Sequence, residues 1–182
     1  ARHPGIALTF LSYRRDDPLN SPDIDAWLRS GDGRWPAHIA ADYVVGREIV
    51  PICRPADLQG KHGIREPADL LGRPLLFHTN YPDNWRHWFV EVGVAAPALT
   101  PAAQFDQVAM LVQGVIAGLG VAVVQRCLID DDLASGRVVI AVDRPVDTAR
   151  GYWLCCRRSD RDRASMSALR DWLLLTAASS SH

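Results

Sequence analysis

Apolar positions recur along this chain in two alternating rhythms, short extended runs and longer stretches spaced three and four apart, and the alternation predicts strands exchanged with helices. The clearest case runs from Ala103 to Gln125. Phe105 ends a short extended piece, and Asp106 stands where an N-cap belongs. Val108, Leu111, Val112, Val115 and Ile116 then repeat at i, i+3, i+4, i+7 and i+8 on one helical face. Gly118 and Gly120 stop that helix, and Val121 to Val124 is apolar on both faces, as in a strand covered on both sides. Strand, helix and strand in this order predict a right-handed crossover. Its helix N-terminus points out of the carboxyl edge of the sheet, so Phe105, Asp106 and Gln107 are expected to face a ligand.

The remaining pattern extends the same alternation. Ala1 to Gly5 reads as the tail of a helix, and Ile6 to Tyr13 as a strand of β-favouring residues. Arg14 to Asp23 is polar, with two prolines, and reads as a loop or short helix. Ile24 to Arg29 predicts a second strand, with the glycine-punctuated loop Ser30 to Pro36 at its carboxyl end; if this strand is parallel, the loop shares an edge with Asp106. Tyr43 to Cys53 is one extended run broken at Gly46, which suits a crossing between lobes. Pro55 and Pro67 each fit a first helical position. Leu75 to His78 predicts a strand, and Asn84 to Val92 a helix with Trp85, Trp88 and Phe89 on a core-facing side. Cys127 to Ala134 continues helical, Val138 to Val142 is a strand, Asp143 to Arg150 a polar return, and Tyr152 to Cys156 a strongly apolar strand. Ser159 to Asp162 fits a capping box ahead of a final helix with Leu169, Trp172, Leu173 and Thr176 on one face; Ala177 to His182 reads as a frayed tail. The whole is an α/β chain. The two extended crossings divide it into lobes, 1–48 with 143–182 and 49–142, around a cleft expected to hold the ligand.

Composition narrows the function classes. With 182 residues, 48% of them hydrophobic and 23% charged, the chain can bury a sizeable core, and disordered and collagen-like classes drop out. A net charge of −1 argues against this segment gripping a phosphate backbone, and no apolar run is long enough to span a membrane. The chain starts without Met or a recognisable export signal and reads as a piece of a longer polypeptide. Cys53, Cys127, Cys155 and Cys156 form no C-x-x-C pair and have no His at ligand spacing, so no metal site is expected. Free thiols point to a reducing compartment, the cytoplasm. Cys155 and Cys156, adjacent in one strand, should face opposite sides. Catalytic motifs are missing: there is no G-x-S-x-G, H-E-x-x-H, phosphate loop or dinucleotide fingerprint, and no cofactor or enzymatic activity is expected.

One ordered series is more specific. Ala1 to Ile6, Asp23-Ile24-Asp25, Ser30 to Pro36, Ile49 to Pro55, Trp85 to Trp88, Phe105-Asp106, Ala117 to Ala122, Asp132 to Arg137 and Tyr152-Trp153-Leu154 together resemble the effector-binding domain of LysR-type transcriptional regulators. The branch resembled is that of the glycine-cleavage activator and the β-lactamase regulator. The resemblance implies a two-lobed, periplasmic-binding-protein-like (type 2) α/β fold with a double hinge, its N-terminal strand and most of its first helix cut off. It implies a small effector in the interlobe cleft, DNA binding only through a missing N-terminal helix-turn-helix, and homodimers or higher homo-oligomers. Carried onto this sequence, it places Tyr13, Arg14, Ser30, Gly31, Asp32, His78, Thr79, Phe105, Asp106, Gln107 and Tyr152 at the effector.

Four of these residues also have a plainer role open to them. Asp106 can be an N-cap, Asp32 a turn residue between glycines, His78 a hydrogen-bonded structural imidazole, and Tyr152 a core residue. With Asp106 and Asp32 as the acidic groups and Arg14, Arg29 and Arg34 as cations, the expected ligand is small and zwitterionic or polar, an amino acid or peptide fragment. Gln107 replaces the small hydroxyl or acidic residue expected in this branch. A solute-binding protein of a transport system would share the fold and is the rival reading.

Overall fold

The computed structural model describes residues 6–11 and 18–179. In chain order the strands are β1 (Ala26–Gly31), β2 (Ile39–Val45), β3 (Glu48–Cys53), β4 (Leu75–His78), β5 (Ala103–Phe105), β6 (Val121–Gln125), β7 (Val139–Ile140), β8 (Val146–Asp147) and β9 (Gly151–Arg157). The α-helices are α1 (Asn84–Glu91), α2 (Val108–Ile116), α3 (Asp130–Ala134) and α4 (Ala164–Ser179). Two compact units result, Ala1–Val45 with Ala149–His182, and Gly46–Thr148. Gly46, at φ 98°, occupies a conformation that side chains disfavour, at the point where the chain leaves the first unit.

The second unit is a mixed sheet in the order β5-β4-β6-β3-β7, with β8 also on β3. Strand alternation sorts its side chains onto two faces. Leu75, Phe77, Val121 and Val123 meet Trp85, Trp88 and Phe89 of α1; Leu76, Ala122 and Val124 meet Leu111, Val112 and Val115 of α2. The three α1 aromatics are at most 1% exposed, and each such burial is worth roughly 1.5–3 kcal/mol. Their polar edges are satisfied: the Trp85 indole donates to the Leu76 carbonyl at 2.9 Å, and that of Trp88 to the Arg144 carbonyl at 2.8 Å. Both β5 and β6 run parallel to β4, which lies between them, so the strand-helix-strand unit is a crossover. Gly118, at φ 81°, closes α2, its N–H bonding the Val115 carbonyl while the Leu119 N–H reaches Gly114.

The first unit is a three-stranded sheet, β1-β9-β2, antiparallel throughout. Cys155 packs in one of its clusters with Leu19, Trp27 and Ile39, and Cys156 in another with Ala40, Leu154 and Met166 of α4, so the adjacent thiols do serve opposite faces. Burial holds Cys155 and Cys53 up to about pKa 12 and Cys127 to about 11, keeping them as thiols at neutral pH.

Several expectations are corrected. Residues 6–11 carry no strand; Leu8, Phe10 and Leu11 are 50%, 87% and 64% exposed, and β-favouring side chains form a strand only against an edge that pairs with them. Tyr13 and Arg14 lie outside the described residues. The second strand is Ala26–Gly31, not Ile24 to Arg29, and it runs antiparallel to β9 in a different sheet from β5, so the parallel edge envisaged for it does not exist. The stretch Asp143 to Arg150 is not purely a return: Glu48 pairs with Asp147 and Ile49 with Val146, which attaches residues 46–48 and 143–148 to the second unit.

Ser159 to Asp162 is no capping box. Asp160, 5% exposed, binds Arg157 and Arg163, and α4 starts only at Ala164. Arg157 also donates to the Ser21 and Ile24 carbonyls and Arg158 to those of Ala37 and Ile39, so this arginine-rich turn ties two loops to the end of β9. On α4 it is Met166, Leu169 and Leu173 that pack inward, whereas Trp172 is 43% exposed.

Candidate functional site

In the second unit, parallel pairing sets His78 opposite Phe105, so β4 and β5 end together and release Thr79 and Asp106 side by side. The Thr79 N–H donates to the Phe105 carbonyl at 2.8 Å. Asn80 then fixes the turn twice. Its backbone N–H donates to His78 Nδ1 at 3.0 Å, and its side-chain amide to the Asp106 carbonyl at 3.4 Å. Tyr81 lays its ring 4.9 Å from that of His78. Sequence reasoning passed over Asn80 and Tyr81; the signal available was an Asn at a strand end just before Pro82, a turn-forming pattern.

His78 is 7% exposed. Because Nδ1 accepts a hydrogen bond, the neutral ring carries its proton on Nε2, which has no partner among the described residues. Burial lowers the imidazole pKa from 6.5 and the Asp106 carboxylate raises it, with burial the larger effect, so the ring is a neutral donor at pH 7. The plain structural role foreseen for His78 accounts for Nδ1 only.

Asp106 is not the N-cap of α2. That position falls to Gln107, extended at φ −126° and ψ 135°, and no side chain bonds the first turn. The helix therefore begins with its leading N–H groups uncapped, an arrangement that favours a negative group by roughly 0.3–1 kcal/mol. Asp106 is exposed and its carboxylate unpaired among the described residues. Phe105 has a packing role. Its ring packs against Gly114 of α2, 2.9 Å from where a Cβ would stand, and belongs to the core on that face.

The first unit holds the other predicted residues. Antiparallel register sets Ser30 opposite Tyr152 and Gly31 opposite Gly151. The Ser30 hydroxyl is buried with no hydrogen-bond partner among the described residues, as is the indole nitrogen of Trp35. Gly31 is a packing residue: the Trp35 ring lies 2.7 Å from the place a Cβ would take, and the Gly31 carbonyl accepts from the Trp153 indole at 3.1 Å. Asp32 is a turn residue, accepting from the Arg34 N–H at 3.1 Å and pairing with its guanidinium at 3.7 Å. Thus His78, Thr79, Asp106 and Gln107 lie together at one pair of strand ends, Ser30 and Tyr152 are register partners in the first unit, and Gly31, Asp32 and Phe105 each have a packing or turn role as well. Among the described residues no three His, Cys, Asp or Glu side chains are grouped to hold a metal, and no helix is long and apolar enough to cross a membrane.

Comparison with known proteins gives a consistent picture. The family model for the LysR substrate binding domain matches residues 1–178. The glycine cleavage system transcriptional activator of Escherichia coli K12 is 25% identical over 176 residues, 97% of this chain and 57% of the relative. The HTH-type transcriptional activator AmpR of Citrobacter koseri is 30% identical over 175 residues, 96% of this chain and 59% of the relative. The effector domain of the transcriptional regulator AmpR of Pseudomonas aeruginosa superposes with a TM-score of 0.82 at 28% identity, covering 98% of this chain and 84% of that one. The chain thus spans 57–59% of the length of these two curated relatives.

Proposed function

Since the chain belongs to the LysR substrate binding domain family, we propose that it is the ligand-sensing part of a longer transcriptional regulator and works by binding rather than catalysis. DNA is contacted by a helix-turn-helix elsewhere in that polypeptide, the whole acting as a homo-oligomer in the cytoplasm. Relatives named as transcriptional activators support this reading, and nothing among them favours a transport solute-binding protein.

The effector is small and zwitterionic, of amino-acid or short-peptide type. Its acid group meets the uncapped start of α2, its amine meets the Asp106 carboxylate, and His78 Nε2 donates to a further acceptor. The observation that carries this reading is His78: a buried imidazole, locked into one tautomer by Asn80, with its donor nitrogen unused. That nitrogen is not among the buried unpartnered side-chain atoms, so a ligand or water can reach it.

Calorimetry against amino acids, short peptides, aromatic acids and purines tests it. Expected is binding of a zwitterion that weakens on Asp106→Ala and on His78→Phe while Arg137→Gln leaves it unchanged. Tight binding of a purely apolar or dianionic compound, indifferent to Asp106→Ala, would overturn it.

A further inference from the structure

The turn after β4 opens directly into α1. Beside it lies a cavity of about 240 Å³, lined by His78 and Thr79 of the effector position and, from the head of α1, by the N-cap Asp83 and by Arg86. Backbone hydrogen bonds run from the turn into the helix: the Tyr81 N–H donates to the His78 carbonyl at 3.0 Å, the Asn84 N–H to that of Tyr81 at 3.2 Å and the His87 N–H to that of Asp83 at 2.8 Å. A displacement of the turn is therefore carried into α1 as a whole.

The same helix reaches the segment between β7 and β8. Pro51, in the middle of β3, has no N–H to offer the ladder, and its carbonyl accepts from the Ala141 N–H at 2.8 Å. The chain opposite pairs on either side of this point, as β7 with Ile52 and Cys53 and as β8 with Glu48 and Ile49, and leaves the ladder between them. Side chains of α1 hold the interrupted stretch. The Trp88 indole donates to the Arg144 carbonyl at 2.8 Å, and His87 Nε2 lies 3.1 Å from the Asp147 carbonyl, which only accepts, so the imidazole donates. One residue further, the Thr148 N–H donates to the Arg47 carbonyl at 2.8 Å, joining the two stretches through which the chain enters and leaves the second unit.

We propose that α1 is a lever by which the effector turn controls how firmly these two stretches are held together, with His87 and Trp88 as positioning residues that touch no ligand themselves. Residues 143–148 then have two states, docked on α1 with the His87 bond made, or released and held by the β3 ladder alone. A group filling the space between His78 and Arg86 fixes the head of α1 and favours the docked state. Use of this link as a signal rests on the effector position proposed above; the link itself does not, and its test needs no ligand.

Amide hydrogen exchange at Thr148 in the 182-residue chain is the readout. Asn80→Ala removes the side-chain bond to the Asp106 carbonyl and loosens the turn without altering α1 or residues 143–148. Expected is exchange at Thr148 about threefold faster in Asn80→Ala and in His87→Phe, near the wild-type rate in His87→Gln, whose amide still donates, and no faster in the double variant Asn80→Ala/His87→Phe than in His87→Phe alone. The Val121 N–H, bonded to the Pro74 carbonyl at 2.9 Å in the core of the sheet, reports general loosening and keeps its wild-type rate. Unchanged exchange at Thr148 in Asn80→Ala, additive effects in the double variant, or equal acceleration at Val121 would overturn the proposal.

Discussion

The two units solve the problem of a small sheet differently. The second covers both faces of its sheet, α1 on one and α2 on the other, and reaches near-zero exposure at Ile49, Ile52, Trp88, Phe89, Leu111 and Val115. The first has three strands and leaves Leu28, Trp172 and Leu175 exposed at 55%, 43% and 65%. It compensates with charge: Arg157, Arg158, Arg161 and Arg163 tie Asp160, Asp42, three loop carbonyls and the Ile39 carbonyl of β2 to the end of β9. The contrast shows where polar groups are available for a ligand. In the second unit apolar packing and the Asn80 hydrogen bonds hold the strand ends, and the Asp106 carboxylate has no ion pair or hydrogen bond among the described residues. In the first, Gly31 and Asp32 at the strand end are taken up by packing and the turn.

The largest effect is expected where that apolar packing is removed. Trp88→Ala, at a residue with no exposure, should destabilise the protein by about 3–5 kcal/mol in urea denaturation, and a loss below about 1 kcal/mol would mean that the second unit does not rest on this cluster. The matching change in the first unit is Arg157→Met. It keeps the aliphatic bulk over Trp27 but strands the Ser21 and Ile24 carbonyls, with an expected loss of about 2 kcal/mol that added salt does not reproduce in the wild type.

Acid should distinguish the units next. The folded-state pKa of His78 is depressed, so the unfolded chain binds the proton more readily. The stability this group contributes is complete above the unfolded value of 6.5 and is lost as pH falls from there through the folded value. His78→Gln should flatten that part of the stability-pH curve; an unchanged slope would show that His78 does not titrate as described. The smallest effect is Asp106→Ala. Because this residue caps nothing, stability should stay within about 0.5 kcal/mol, while effector binding falls; a loss of about 1 kcal/mol would restore it as an N-cap.

Much of the second unit was legible in the sequence. Leu75 to His78 matches β4, the Asn84 helix starts where its aromatic spacing puts it, and the strand-helix-strand unit ending at Gln125 is present. These features depend on side-chain periodicity, which a continuous stretch of chain carries by itself. For the candidate site, the sequence pointed to the ends of β4 and β5, where the structure sets His78 opposite Phe105. The role of Asn80 was not legible, because its side-chain amide reaches the Asp106 carbonyl, 26 residues further along the chain.

The family, the α/β alternation, the core faces of α1 and α2 and the ends of β4 and β5 are thus properties of the sequence alone. Only the tertiary structure decided that β1 runs antiparallel to β9, that Asp160 anchors an arginine network instead of capping a helix, and that Asp106 leaves α2 uncapped. The physical reason is common to all three. A periodic pattern states which face of an element is buried, but the partner of a strand edge or a polar side chain is set by whichever group the fold brings within hydrogen-bonding distance, and that group can lie more than a hundred residues away, as Ser21 does from Arg157.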